Sequence, residues 1–166
     1  MRTGSGPSFK HLAAALQFLR DREDVLSSRL GVVGFCMGGG FALSLALRED
    51  LAVSAPFYGQ VPARADELEG VCPVVGSFGG RDAVFAPHGR RLKRHLEKLG
   101  AEHDVKVYPA AGHSFMSQHE AGALDRLYAV GPMKVAYHHE SAEDAWRRML
   151  GFFQTHLETT SESDVT

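Results

Sequence analysis

The stretch GVVGFCMGGGFALSLAL, residues 31–47, decides how this chain is read. Leu30 to Phe35 is a short apolar run with the character of a buried strand. Gly34-Phe35-Cys36-Met37-Gly38 comes next, with Gly39 and Gly40 behind it, and FALSLAL then reads as a helix to about Leu47. One cysteine is therefore held between glycines at a strand-to-helix turn. Gly-x-Cys-x-Gly has the spacing of the nucleophile elbow Gly-x-Ser-x-Gly, with sulfur in place of oxygen. Such a turn is strained and brings strand and helix close, so a side chain at position 34 or 38 is expected to collide. It lifts the nucleophile above the sheet edge and aims the backbone N–H of Met37 at the same space. The helix start favours negative charge, which suits a thiolate and an oxyanion alike. The competing reading is a packed cysteine beside a glycine-rich helix start, or a phosphate loop. No Gly-Lys-Ser/Thr follows, which counts against a Walker-type loop.

Outward from this turn, helices and strands alternate. Phe9, Leu12, Leu16 and Leu19 repeat at helical spacing upstream, with Ser8 as a candidate cap. Ala52–Phe57 reads as a second strand, residues 62–70 as a polar connection with a short helical turn, and residues 72–78 as a third strand. A helix from about Pro87 carries Leu92, Leu96 and Leu99 on one face, and Gly100 can stop it in a left-handed conformation. Residues 103–109 form a fourth strand. A last helix is expected from Ser141, capped there with Asp144 three residues on, to Leu157. Its buried stripe would be Trp146, Met149, Leu150, Phe153 and Leu157. The pattern predicts an α/β fold: a mostly parallel sheet of about four strands with helices on both faces, in a single domain over residues 1–157. The polar tail, residues 158–166, is expected to be disordered.

Composition narrows the function. The chain has 166 residues, 44% hydrophobic and 23% charged, with 18 basic and 20 acidic side chains for a formal charge of −2. Nothing in that balance favours nucleic acid or an anionic membrane as partner. No apolar run approaches the roughly 18 residues of a membrane span, and the first ten residues lack the apolar core of a signal peptide. Two cysteines, Cys36 and Cys72, make no disulfide framework and fit a reducing cytoplasm. Cys72 reads as a small packed residue. The nine histidines are scattered without zinc-site spacing, so neither metal nor cofactor is expected.

Reactive groups in parallel α/β sheets gather beyond the carboxyl ends of the strands. After the first strand stands Cys36. After the third comes GGRDAVF with Asp82, and after the fourth AAGHSFM with His113. Taken singly, Asp82 is as readily a turn aspartate or a partner for Arg81, and His113 a surface loop histidine. Together they give the order nucleophile, acid, histidine, each after a separate strand, which is the order of α/β-hydrolases.

GVVGFCMGGGFAL with Cys36, CPVVGSFGGRD with Asp82, and VYPAAGHSFM with His113 resemble the dienelactone hydrolase family of α/β-hydrolases. SAEDAWRRMLGFFQTHL resembles its closing helix, and the resemblance runs from about residue 8 to 157. It implies hydrolysis of a small-molecule ester or lactone, with Cys36 as nucleophile, His113 as general base and acid, and Asp82 as the orienting carboxylate. The Met37 N–H would stabilise the oxyanion. Phe35, Tyr58 and Phe115, near strand ends, are candidates to line an apolar pocket.

Two departures from the family pattern stand out. Family members carry about four strands before the elbow strand, whereas one helix precedes Leu30 here. That part would supply the second oxyanion N–H and a glutamate that helps activate the thiol. The sheet is thus expected to be N-terminally truncated, with Leu30–Phe35 at an edge that a second copy, another chain or an upstream segment would cover. Family members also carry an arginine soon after the histidine that holds a substrate carboxylate. Ser117 and Gln118 stand in that region here, with Arg126 as a possible substitute. Three readings stay open: a cysteine-dependent ester or lactone hydrolase, a catalytically incomplete domain that acts by association, and a redox-sensing thiol.

Overall fold

The computed structural model describes residues 7–118 and 130–158. Helix α1 (Pro7–Arg20) leads to strand β1 (Gly31–Phe35), α2 (Met37–Ala46), β2 (Val53–Phe57), a 3-10 turn (Ala65–Leu68), β3 (Val74–Gly79), α3 (Ala86–Leu99), β4 (His103–Tyr108) and α4 (His139–Leu157). The strands lie in the order β1-β2-β3-β4, every neighbouring pair parallel. The expected strands and helices are present, with ends shifted by a residue or two. Two helix starts differ. Helix α1 begins at Pro7, so Ser8 lies inside it. Helix α4 begins at His139, and the cap is the His138 ring, which accepts the Ser141 N–H at 3.4 Å. Arg126 and the tail from residue 159 lie outside the described residues.

Register assigns the faces. Phe35, Phe57, Ser77 and Lys106 stand in one row across the sheet. Side chains in a row share a face and alternate along each strand. The Phe35–Lys106 row faces α4, where Lys106 meets Asp144 at 2.6 Å. The alternate residues, such as Gly34 and Gly76, face α2 and α3; a Cβ on Gly76 would sit 3.3 Å from Leu92. Strands β2 and β3 are wholly buried, as double-sided cover requires. Helix α1 packs on α2 through Phe9, Leu16, Leu30, Leu45, Ala46 and Leu51. Helix α4 is tied to β4 by polar contacts: Arg148 pairs with Asp104, and the Tyr108 hydroxyl donates to Asp144 (2.9 Å) while accepting from Arg148 (3.0 Å).

Strand β1 pairs with β2 and with no other strand among the described residues, so it forms an edge. Val33 and Phe35 are 42% and 36% exposed there. The expected buried stripe of α4 is only partly buried. Ala142, Ala145 and Met149 are packed, whereas Trp146 is 38% and Leu150 59% exposed. Helical spacing put these residues on one side of the helix, but that side overhangs the β1 edge. Phe35 and Trp146 meet at the rim, ring centres 6.1 Å apart. Leaving each of the two α4 side chains half in water forgoes about 1 kcal/mol of burial.

Candidate active site

The turn after β1 is the one the glycines foretold. Cys36 has φ 54° and ψ −119°, a backbone conformation that non-glycine residues adopt at a cost of about 1–3 kcal/mol. Two hydrogen bonds hold it there. Its N–H donates to the Phe57 carbonyl (3.1 Å), and its carbonyl accepts from the Gly39 N–H (3.0 Å). The Cys36 side chain is exposed. A Cβ on Gly34 would fall inside the envelope of the Gly38 carbonyl, so position 34 has no room for a side chain. Position 38 differs from expectation: a Cβ there meets nothing within 4 Å. The tight fit lies one residue on. A Cβ on Gly39 would sit 2.7 Å from the Phe57 carbonyl oxygen, and one on Gly59 would sit 2.6 Å from the Gly39 carbonyl carbon. Gly39 and Gly59 are the pair that seats α2 against the end of β2.

Met37 opens α2, and the first amides of a helix have no carbonyl one turn back to bond. Its N–H therefore takes no bond within the helix.

Asp82 and His113 come from loops after β3 and β4 and meet under Cys36. His113 Nε2 is 3.1 Å from Cys36 Sγ, and His113 Nδ1 is 2.7 Å from Asp82 Oδ2. Asp82 is fully buried and His113 nearly so. The other carboxylate oxygen, Oδ1, accepts the N–H groups of Val84 (2.9 Å) and Phe85 (3.0 Å). Asp82 is thus clamped by its own turn and presents one oxygen to the histidine. Arg81, the alternative partner considered from the sequence, makes no ion pair with it. The His113 ring is wedged by aromatics, its centre 5.1 Å from Tyr58 and 4.9 Å from Phe85.

A further element joins the two loops. The Pro132 carbonyl accepts from the Ala83 N–H (2.9 Å), and the Met133 carbonyl from the His113 N–H (2.8 Å). Lys134 packs so closely on Gly112 that a Cβ on that glycine would run into the Lys134 carbonyl. Residues 132–134 therefore brace both loops through backbone groups. No side-chain pattern could have pointed to them, and Gly112 before His113 was the one available signal.

Phe35, Tyr58 and Phe115 do not line the cavity beside Cys36. Tyr58 and Phe115 are fully buried; the Tyr58 ring packs edge-on against His113, and Phe115 packs against Tyr58. Burial pushes the Tyr58 hydroxyl up to about 12. Phe35 faces α4 and the sheet rim. The cavity measures about 400 Å³ and is bounded by Cys36, Met37, Gln60, Val84, Phe85 and His88. Cys72 is half-buried against the cluster that joins α1 to α2, and burial raises its thiol to about 11, so it stays protonated at neutral pH.

A parallel sheet with a strained elbow after β1, and an acid and a histidine after β3 and β4, defines an α/β-hydrolase fold. A Klebsiella pneumoniae crystal structure provisionally named a dienelactone hydrolase superposes with a TM-score of 0.66 at 26% identity, over 86% of this chain and 58% of that one. The model of the dienelactone hydrolase family matches residues 6–157, and the chain belongs to that family. A Yersinia pestis protein provisionally named carboxymethylenebutenolidase is 30% identical in an alignment of length 142 that covers 78% of this chain and 48% of that protein. The carboxymethylenebutenolidase of Rhodococcus opacus is 30% identical in an alignment of length 140 that covers 76% of this chain and 50% of its own length. The chain thus spans about half the length of these relatives. No helix among its described residues is long and apolar enough to cross a membrane.

Proposed function

We propose that this chain hydrolyses carboxylic esters or lactones of small molecules, with Cys36 as nucleophile, His113 as general base and acid, and Asp82 as the group that orients His113. The observation that carries the reading is the unbroken line Cys36 Sγ to His113 to Asp82, at 3.1 and 2.7 Å, on a backbone strained to present the thiol. A structural cysteine would need neither the strain nor the line. The relatives' names, which denote hydrolases of a butenolide lactone, agree with it. The two unpaired cysteines fit a cytoplasmic protein.

The chemistry follows from the geometry. His113 Nε2 takes the Sγ proton as the sulfur attacks the carbonyl carbon. The resulting imidazolium is held by the Asp82 carboxylate at Nδ1. Negative charge gathers on the carbonyl oxygen and meets the Met37 N–H. The tetrahedral intermediate collapses, and the leaving alkoxide takes the proton back from Nε2. A thioester on Cys36 remains. Nε2 then deprotonates a water that attacks the thioester, and the proton goes to the departing sulfur. With a lactone the alkoxide stays tethered to the acyl group, so rapid attack by water is what keeps the ring from closing again.

Rapid mixing with 4-nitrophenyl acetate tests this. The expected result is a burst of one nitrophenolate per chain and a gain of one acetyl group on the peptide carrying Cys36, both abolished in Cys36→Ala. Absence of the burst and of the acetyl peptide in the unaltered protein overturns the reading. A second reading is a hydrolase-like unit that acts by association with a second copy or another chain. The exposed β1 edge with Val33 and Phe35 favours it. It predicts no burst, together with self-association or capture of another strand in sedimentation. Esterase activity that survives Cys36→Ala alongside sulfenic acid at Cys36 under mild peroxide would instead mark a redox-sensing thiol.

A further inference from the structure

The cavity beside Cys36 holds one polar group whose hydrogen-bonding role is already decided. His88 is the third residue of α3, half-buried, with its ring 5.5 Å from that of Phe85. The Val61 N–H donates to His88 Nδ1 at 3.0 Å. An imidazole nitrogen that accepts a hydrogen bond carries no proton, so the proton of the neutral ring sits on Nε2. Nε2 is a donor with no protein partner among the described residues, and His88 lines both the Cys36 cavity and a smaller one of about 140 Å³ that Val61 and Arg91 also line. Three local features keep the ring neutral. The Val61 amide would face an N–H if Nδ1 gained a proton, the positive end of α3 lies at its first turn, and Arg91 is near. Burial, first, and Arg91 accordingly push His88 below its ordinary value.

The rest of the cavity wall is mostly apolar: Met37, Val84 and Phe85, with Gln60 the other polar side chain. A substrate that fills it buries carbon against these residues and meets two polar side chains, the His88 ring and the Gln60 amide. We infer that His88 is a specificity-determining residue, its Nε2–H donating to a second, uncharged oxygen of the substrate, a ketone, ether or ring carbonyl apart from the scissile bond. A carboxylate is disfavoured at that point, because a neutral imidazole offers a single dipole where a buried anion needs a cation, and the Arg91 guanidinium nearby donates to the Val61 carbonyl (3.3 Å). This inference rests on the reading that the Cys36 cavity is where the acyl substrate binds.

Two substitutions separate the ring's two faces. In His88→Asn, the amide oxygen can occupy the place of Nδ1 and keep the Val61 bond, while the donor into the cavity is lost. In His88→Gln, the longer amide can restore an N–H near Nε2, while the Val61 bond is lost. The probes are unreactive anilides of equal shape, N-(4-nitrophenyl)-4-oxopentanamide and N-(4-nitrophenyl)-4-methylpentanamide, whose affinities are read by protein-observed NMR titration without any turnover. The unaltered protein is expected to prefer the keto anilide about fivefold, the worth of one neutral hydrogen bond. His88→Gln should keep that preference and His88→Asn should lose it. The opposite pattern, equal ratios in all three proteins, or no binding of either anilide overturns the inference. A keto preference that follows this pattern in a protein giving no burst with 4-nitrophenyl acetate would sustain the donor and sink the hydrolytic reading instead.

Discussion

Asp82→Asn makes the sharpest test of the proposed triad, because the turn around Asp82 dictates how the new amide must sit. Oδ1 accepts two backbone N–H groups, from Val84 and Phe85, at 2.9 and 3.0 Å. If the amide oxygen stays there, the amide NH₂ points at His113 Nδ1. Reversing the amide would set its NH₂ against those two N–H groups and leave both unpaired in a fully buried site, at about 1–3 kcal/mol each. The first orientation therefore wins by several kcal/mol. It forces Nδ1 to accept, so the neutral ring carries its proton on Nε2, the atom 3.1 Å from Cys36 Sγ. That nitrogen can then no longer take the thiol proton. By analogy with the serine triad, acylation should fall by about 10²–10⁴-fold. Folding stability should fall by only about 1–2 kcal/mol, the difference between a charged and a neutral hydrogen bond. The assay is single-turnover acylation by 4-nitrophenyl acetate, with the tautomer read from the His113 ring nitrogens by NMR and stability from urea unfolding. Asp82→Ala is the contrast. It orphans both N–H groups and should cost about 2–6 kcal/mol of stability in addition to activity. A folded Asp82→Asn protein that acylates within tenfold of the unaltered rate would refute the reasoning.

Other perturbations test the elbow, the fold and the cavity. Gly34→Ala should destabilise by about 3 kcal/mol or more, since its Cβ meets backbone that cannot give way, whereas Gly38→Ala should stabilise by about 0.4–1 kcal/mol, since its Cβ meets open space within a helix; urea midpoints decide both. Arg148→Met should cost about 1–3 kcal/mol, because it strips the guanidinium from the Asp104 carboxylate and the Tyr108 hydroxyl, and double-mutant cycles with Asp104→Asn should show coupling. His88 is depressed in the fold, so the unfolded chain binds its proton first as the solution is acidified. The stability it contributes is full above about pH 6.5, the free-histidine value, and drains away as pH falls through the lower folded value. The stability difference between the unaltered protein and His88→Asn should therefore shrink or reverse on acidification, and a difference independent of pH would contradict the assignment of the neutral ring.

Much of this arrangement was legible in the residues, for reasons that also mark where legibility stopped. Short apolar runs bounded by turn residues gave four strands because a strand covered on both faces has no other way to be written. The elbow was readable because the strained φ of Cys36 demands small neighbours. Yet Gly-x-Cys-x-Gly says nothing about which glycine touches what. Gly38 faces open space, and the close approach falls to Gly39 and Gly59, twenty residues apart in the chain and joined only by the fold. The α4 stripe failed similarly: a helical period tells that Trp146 and Leu150 share a face with Met149, not that the sheet ends before reaching them. Tyr58 and Phe115 stand near strand ends but belong to the core rather than to the cavity wall, since proximity to a strand end does not say whether a side chain rises into the cavity or drops into the core. His88 and the Pro132–Lys134 brace left almost no trace, because one acts through a tautomer and the other through carbonyl groups that every residue carries.

The exposed β1 edge and the Cys36–His113–Asp82 line are mechanically separate, and this bears on the proposed chemistry. Asp82 is fixed by its own turn, and the brace at residues 132–134 joins its loop to that of His113 on the β3–β4 side of the sheet. Cys36 is fixed to β2 through the Phe57 carbonyl, and α2 is seated there by Gly39 against Gly59. None of these contacts uses the free side of β1. Covering that edge would bury Val33, Phe35 and the overhanging part of α4, and would thereby add stability and reshape the rim of the site. It would leave the Cys36–His113–Asp82 line where it is. In the proposed mechanism, proton transfer from Cys36 to His113 is therefore set by contacts already in place, whereas stabilisation of the oxyanion, for which the Met37 N–H is the proposed donor, is the part of the chemistry that a second element at the edge would strengthen. Removing a single oxyanion donor elsewhere costs about 10²–10³ in turnover. An acylation burst that is present but slow, and that quickens by such a factor when a partner strand covers β1, is what this division of labour requires; a burst whose rate ignores that strand would place both oxyanion donors within this chain.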